Sequence, residues 1–226
     1  MPGRARLRYR EADVQHTVPE TEVGGTAKRA FDLAVAIPAT ILLAPVMAGL
    51  AAWVRLDSSG PALFRQRRAG AFGRPFTCVK FRSMVDGAET KGAGLAVTAG
   101  DARITRAGRV LRRLSLDELP QLINVIRGEM SIVGPRPTVP SQVAHYDAGQ
   151  RRRLLARPGL TGLAQVRGRA SIPWSERIAL DVQYVDTWSM GLDLRIIGET
   201  VRVVLRGEGQ YRGEDGGFDL AGRADG

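Results

Sequence analysis

The chain has 226 residues, 44% hydrophobic and 25% charged, the balance of a globular protein rather than a disordered or collagen-like one. Its single cysteine, Cys78, excludes an internal disulfide framework and a cysteine-rich zinc or iron–sulfur centre; the two histidines, His16 and His145, are not at metal-ligand spacing. Aromatic residues are scarce at 6%, against a base-stacking module, while a net charge of +10 carried almost wholly by arginine points to anionic partners: nucleic acid, acidic lipid headgroups or phosphorylated substrates.

Residues 1–27 are polar and irregular, with Arg4, Arg6, Arg8 and Arg10 on alternate positions, and are read as a basic, mobile N-terminal arm. No apolar run follows early enough for a secretory signal. From Leu33 to Val54 the chain then runs 22 residues without a charge. That length suits a membrane-embedded helix, and a soluble core helix rarely stays apolar on every face for so long. Pro38 and Pro45 interrupt the run, each removing a backbone donor and favouring a bend. Basic residues flank it on both sides: Lys28 and Arg29 before, Arg55, Arg65, Arg67 and Arg68 after. The positive-inside rule therefore gives no orientation for a spanning helix. A segment that enters, bends at a proline and leaves by the same face keeps both flanks at one set of headgroups. Residues 28–56 are accordingly expected to form a re-entrant membrane helix.

Residues 57–206 are soluble in character and are read as a separate domain. FTCVKF (76–81) reads as a strand between turns at Gly60-Pro61 and Gly73-Arg74-Pro75, and the Gly-, Ala- and Asp-rich stretch 86–102 as a loop. Helices are expected at 103–114 and at 116–128, where Leu119, Leu122, Ile123 and Ile126 repeat at helical spacing. A turn-rich stretch follows at 134–140, a helix from Ser141 to Leu155, a turn at 157–162, and helices near 174–188 and 192–206. Residues 207–226, rich in Gly and Asp, are read as a disordered tail. The expected fold class is α+β, mostly helical with a small β element, associated with the membrane through the N-terminal re-entrant helix.

The segment SLDELPQLINVIRGEMSIVGPRP, residues 115–137, carries most of the chemistry. On its own terms it opens as a capping box, with Ser115 and Glu118 satisfying backbone donors at a helix start and Asp117 favoured by the helix dipole. The functional reading uses the same geometry: an aspartate at a helix start, among arginines, is expected to be held ionised and exposed, and a carboxylate nucleophile, a metal ligand and a phosphate cradle of free N–H groups can coexist there. Arg109, Arg112 and Arg113 precede it, Arg136 follows, and Lys80 and Arg82 come from the preceding strand.

KRAFDLAVA (28–36), the apolar run with Ala44-Pro45, FRQRRAG (64–70), VKFRSM (79–84), the 115–137 segment, RPGLTGLAQVRGR (157–169) and LDVQYVDTWS (180–189) occur in this order. Together, from about Lys28 to about Arg206, they resemble the bacterial sugar transferases known as polyprenyl-phosphate phosphoglycosyl transferases, of the monotopic type, in their minimal catalytic form. The resemblance implies transfer of a sugar 1-phosphate from a nucleoside diphosphate sugar, usually a UDP-sugar, to polyprenyl (undecaprenyl) phosphate. That reaction starts membrane-bound glycan assembly, including exopolysaccharide. By the same resemblance, Asp117 is the nucleophile, forming a phospho-aspartyl intermediate with release of UMP, and Glu118 is its partner. Mg2+ is required, with Asp117 at the metal. Pro45 is the proline of the membrane helix, and Arg136 is the arginine of GPRP. Read from the residues, Lys80, Arg82, Arg112 and Arg136 are candidate phosphate ligands, and Asp181 is a candidate supporting residue, with a plain helix-surface carboxylate as its alternative. Leu163 stands where tryptophan is common and Arg167 where asparagine is common. The implied partners are nucleotide sugar, polyprenyl phosphate and membrane lipids, with no nucleic acid; a homo-oligomer is compatible with the sequence. The implied location is the bacterial inner membrane, with the catalytic domain facing the cytoplasm. Two alternatives stand beside this: a basic nucleic-acid-binding protein, which leaves residues 33–54 unexplained, and a catalytically silent membrane scaffold of the same fold.

Overall fold

The first helix, α1 (Gly25–Asp57), runs 33 residues, about 50 Å at 1.5 Å per residue, and passes through Pro38 and Pro45 without a break. A computed structural model describes residues 22–88, 97, 100–168 and 171–206 of the chain. The expected N-terminal arm up to residue 21, most of the loop at 86–102 and the expected tail at 207–226 lie outside the described residues.

Lys28, Asp32 and Ala36 recur at every fourth position of α1 and form its docking stripe, all buried. Lys28 Nζ donates to Asp193 Oδ2 at 2.6 Å. Asp32 Oδ1 accepts from Ser131 Oγ and from the Ile132 N–H, each at 2.9 Å. Beside the stripe, Arg29 donates to the carbonyls of Val125 at 2.5 Å and Ile126 at 2.7 Å, satisfying acceptors that a helix end leaves orphaned. At the other end, Val54 is buried in a cluster with Phe81, Ala107 and Leu111. Both ends of α1 are thus packed on the same folded body. Between them an apolar face stays open, with Ile41 68% and Leu42 76% exposed. Among the described residues, α1 is the helix long and apolar enough to cross a membrane.

Two strands, β1 (Leu63–Ala69) and β2 (Pro75–Phe81), form an antiparallel hairpin in register from Leu63 opposite Phe81 to Ala69 opposite Pro75. Helix α2 (Arg106–Arg113) follows, N-capped by the Thr105 hydroxyl, which accepts from the Gly108 N–H at 2.9 Å. Only glycine fits at 108, because a Cβ there would fall 1.9 Å from the Ser83 carbonyl oxygen. The expected helix over 116–128 is instead a 3-10 turn at Leu116–Glu118 followed by α3 (Gln121–Arg127). The expected capping box does not form: Ser115 takes the left-handed conformation, φ 55°, with no capping hydrogen bond from its side chain. The chain reverses there directly after α2, and Pro120 starts the next helix with its preset φ of −61°.

Strands β3 (Ser131–Val133) and β4 (Gly159–Thr161) pair in parallel, Ser131 opposite Gly159 and Val133 opposite Thr161. The second of these lies where a turn is expected, since three residues are too few to show an alternating pattern. The single helix expected over 141–155 is three pieces: α4 (Pro140–Val143), α5 (Ala148–Arg151) and a 3-10 turn, Arg152–Leu155. Asp147 and Gln150 form a reciprocal capping box that restarts the helix after the break. Helices α6 (Leu163–Arg167), α7 (Trp174–Asp186) and α8 (Met190–Arg206) complete the chain. The last two match their expected positions. The main core lies where α1, β2, α3, β3, α7 and α8 meet, around Met130, Val133, Tyr184 and Ile196.

Candidate active site

Asn124 of α3 holds β2 in place. Its Oδ1 accepts from the Val79 N–H at 3.1 Å and its Nδ2 donates to the Thr77 carbonyl at 2.8 Å. That clamp sets Lys80, the next residue of β2, against the 3-10 turn bearing Asp117 and Glu118. Lys80 Nζ and Arg136 Nη2 each donate to Glu118 Oε1 at 2.8 Å. Both cations converge on one carboxylate oxygen, leaving Oε2 to neither.

The two acidic neighbours behave oppositely, and Asp117, expected to be exposed and ionised, is instead buried with its carboxyl raised. Burial pushes the Asp117 carboxyl up to about 6, with the Glu118 charge adding to the rise and Lys80, Arg112 and Arg136 opposing it. Burial also pushes Glu118 up, but Arg136 and Lys80 outweigh it and hold that carboxyl well below its ordinary value. Glu118 is a permanent anion that fixes two cations; Asp117 is an ionisable group beside them, held by no such pair.

Asp181 on α7 is buried and accepts from Arg153 Nε at 3.0 Å and from Arg153 Nη2. Arg153 in turn donates to the Arg136 carbonyl at 2.9 Å and to the Tyr146 hydroxyl at 2.9 Å. A chain of contacts therefore runs from Asp181 through Arg153 to the backbone that carries Arg136. Burial raises the Asp181 carboxyl, against the pull of Arg153. Its Oδ1 is buried without a hydrogen-bond partner.

Lys80, Arg112, Asp117, Glu118, Arg136 and Asp181 all line one cleft of about 850 Å³. Arg112 Nη1 reaches Ser83 Oγ at 3.5 Å. Arg82 also lines the cleft; its Nη2 donates to the Ser58 carbonyl at 2.7 Å, Ser58 Oγ at 3.0 Å and the Val54 carbonyl at 3.3 Å, while its Nε and Nη1 are buried without a hydrogen-bond partner. Arg82 ties β2 to the end of α1. Arg109 and Arg113 are exposed and stand outside the cleft lining. Pro45 is exposed on α1, away from these groups.

No cluster of three or more His, Cys, Asp or Glu occurs among the described residues. What the cleft offers a cation is the Asp117 carboxylate and the uncommitted Glu118 Oε2. That donor set fits Mg2+, which binds through one or two carboxylates and takes its other ligands from water and substrate phosphates.

Residues 23–207 match the family model described as bacterial sugar transferase. The chain belongs to that family. It is an enzyme, of the phosphoglycosyl transferase class. The sugar transferase is 46% identical over 182 residues to the uncharacterized sugar transferase EpsL of Bacillus subtilis, covering 80% of this chain and 89% of that protein. It is 40% identical to the exopolysaccharide production protein ExoY of Rhizobium meliloti, over 84% of this chain and 90% of that one. It is 46% identical to the UDP-glucose:undecaprenyl-phosphate glucose-1-phosphate transferase of Caulobacter vibrioides, over 81% and 72% of the two chains.

Of the residues singled out from the sequence, the fold brings Lys80, Arg112, Asp117, Glu118 and Arg136 together and sets Asp181 behind them. Sequence reasoning missed Arg153 and Asn124. Arg153 is one of three consecutive arginines, and nothing in that run marks it as the buried one. Asn124 falls on an otherwise apolar helical repeat, and a polar residue at such a core position was the available signal.

Proposed function

We propose that this sugar transferase moves a sugar 1-phosphate from a UDP-sugar to polyprenyl phosphate at the cytoplasmic face of the bacterial inner membrane. The observation that carries this reading is the acidic pair: Glu118 neutralised by Lys80 and Arg136, Asp117 left reactive beside them on a cleft wall.

Both substrates bring phosphates, so the protein's work is positioning and charge compensation. An Asp117 Oδ attacks the phosphorus that bears the sugar. An Asp–O–P bond forms, the bond from that phosphorus to the bridging oxygen breaks, and UMP departs with the electron pair. An oxygen of polyprenyl phosphate then attacks the same phosphorus, and the Asp117 carboxylate leaves. Lys80, Arg112 and Arg136 offset the negative charge that would otherwise keep a carboxylate from a diphosphate. Asp117 and Glu118 Oε2 would hold Mg2+, which would supply further charge neutralisation to the substrate diphosphate. Asp181, through Arg153, keeps the Arg136 segment in position.

The membrane arrangement follows from the acceptor, whose phosphate lies at headgroup depth. In this reading α1 is re-entrant, its open apolar face in lipid and its two ends on the catalytic domain. The packing of both ends on one body supports that topology. The surrounding arginines add attraction to anionic lipid, roughly 1 kcal/mol for each near the surface.

The test is intact-protein mass after incubation with UDP-sugar and Mg2+ but no acceptor. A sugar-phosphate adduct on the peptide containing Asp117, discharged by polyprenyl phosphate, is expected. Turnover with no adduct at that peptide would overturn the covalent route.

A further inference from the structure

Gln165 on α6 is 6% exposed, and both its Oε1 and its Nε2 are buried without a hydrogen-bond partner. It lines the same cleft as Asp117. A buried amide with neither group satisfied is costly, so such a side chain is expected where a ligand completes it. The position is fixed by close packing. A Cβ on Gly162 would fall 2.7 Å from Gln165 Oε1 and 2.1 Å from the Gly134 carbonyl oxygen. Gly134 is two residues from Arg136, and its N–H donates to the Thr161 carbonyl at 2.8 Å. The amide and Arg136 are therefore carried by two short segments that pack against each other at Gly134 and Gly162.

Ile132, Leu160, Ala164, Ile197 and Val201 also line this cleft. The hydroxyls of its Thr161 and Thr200 are occupied, Thr161 Oγ1 with Thr200 Oγ1 at 2.7 Å and Thr200 Oγ1 with the Ile196 carbonyl at 2.7 Å. The Gln165 amide offers one donor beside one acceptor in a single plane. A sugar, with hydroxyls around its rim, needs several polar partners. A flat heterocycle with an adjacent N–H and C=O needs only this pair.

We propose that Gln165 reads the base of the nucleotide donor, Oε1 accepting from the uracil N3–H and Nε2 donating to the neighbouring ring carbonyl. This rests on the UDP-sugar reading above and names the residue that recognises its uracil. The base lies against aliphatic side chains of the cleft, and the diphosphate reaches toward Arg136 and Lys80.

The test compares UMP with UMP methylated at N3, as inhibitors of UMP release by the full chain in detergent. The wild type is expected to bind the methylated analogue about tenfold more weakly, the loss of a buried hydrogen bond. In Gln165→Ala, and in the near-isosteric Gln165→Met should alanine fail to fold, the two nucleotides bind within about twofold of each other. Either variant discriminating against the methyl group as strongly as wild type overturns the assignment. So does a variant that keeps base discrimination and changes its preference between UDP-glucose and UDP-galactose, which would place the amide at the sugar. A wild type that neither binds UMP nor releases it from any UDP-sugar removes the underlying donor reading as well, and is told apart by that result.

Discussion

Asp117 and Glu118 are consecutive in the chain, yet their carboxyls are driven in opposite directions, Asp117 up to about 6 and Glu118 well below the usual carboxylate range. Burial acts on both; the difference is that Lys80 and Arg136 bond Glu118 directly. In the proposed mechanism Asp117 is the nucleophile and must be ionised, so the first half-reaction is expected to have an acid limb set by Asp117. UMP release in a single turnover without acceptor is expected to rise with pH through about 6 and level off above it. Leaving out the acceptor keeps its own phosphate ionisation from the profile. A rate that stays flat from about pH 5 to 8 would dissociate Asp117 from the step.

The same raised carboxyl makes a statement about folding. A group that holds its proton more tightly when folded contributes stability that is fully present below its unfolded pKa, near 3.8. That contribution is lost as pH rises through about 6. At pH 8 the wild type therefore carries the cost of a buried charge that Asp117→Asn removes at nearly constant shape. The variant is expected to unfold at a higher temperature than wild type at pH 8, with the gap closing near pH 4, while transfer falls by about a thousandfold or more. Lower thermal stability of the variant at both pH values would contradict the balance of charges described. Activity near wild type would remove Asp117 from the nucleophile role.

Arg153 and Asp181 form a buried ion pair, both within 3% of full burial of the side chain. Removing one partner from such a pair leaves a charge in the interior and costs about 3–5 kcal/mol, whereas replacing both with apolar groups costs far less. Arg153→Met is therefore expected to destabilise strongly, and Arg153→Met combined with Asp181→Leu to recover much of that loss. Because Arg153 also holds the Arg136 carbonyl, the double variant should regain stability without regaining full kcat. Recovery of both together would make the pair purely structural. Denaturant unfolding read beside UMP release separates the two.

The long apolar helix, α2, α7 and α8 were legible in the sequence because their patterns span many residues. So was the cation–carboxylate cluster, since Lys80, Asp117, Glu118 and Arg136 sit in distinctive motifs. The capping box was misleading: Ser115 has the residue type and spacing, but the reversal after α2 demands a left-handed residue where a cap would stand. Strands β3 and β4 are three residues each, and their parallel pairing depends on contacts between segments far apart in the chain. Arg82 illustrates a different limit. Its charge marks it as a candidate phosphate ligand, and it lines the cleft, but its hydrogen bonds to Val54 and Ser58 at the end of α1 are a contact that no local pattern encodes.

The position of α1 gives a prediction about topology. Its first turns are fixed by the Lys28–Asp193 pair and by Asp32 on Ser131 and Ile132, and its last by Val54 against Phe81 and Leu111. A helix that left this body to cross a bilayer would have to release one of those ends, exposing Asp193 or the cluster around Val54 to lipid. Thr26, in the first turn of α1, and Ser59, just past its end, are exposed, and Cys78, the single native cysteine, is buried. Thr26→Cys and Ser59→Cys are therefore expected to react with an impermeant maleimide from the same side of sealed inner-membrane vesicles. Labelling from opposite sides would mean that α1 spans the membrane, and that its docking on the catalytic domain gives way in lipid.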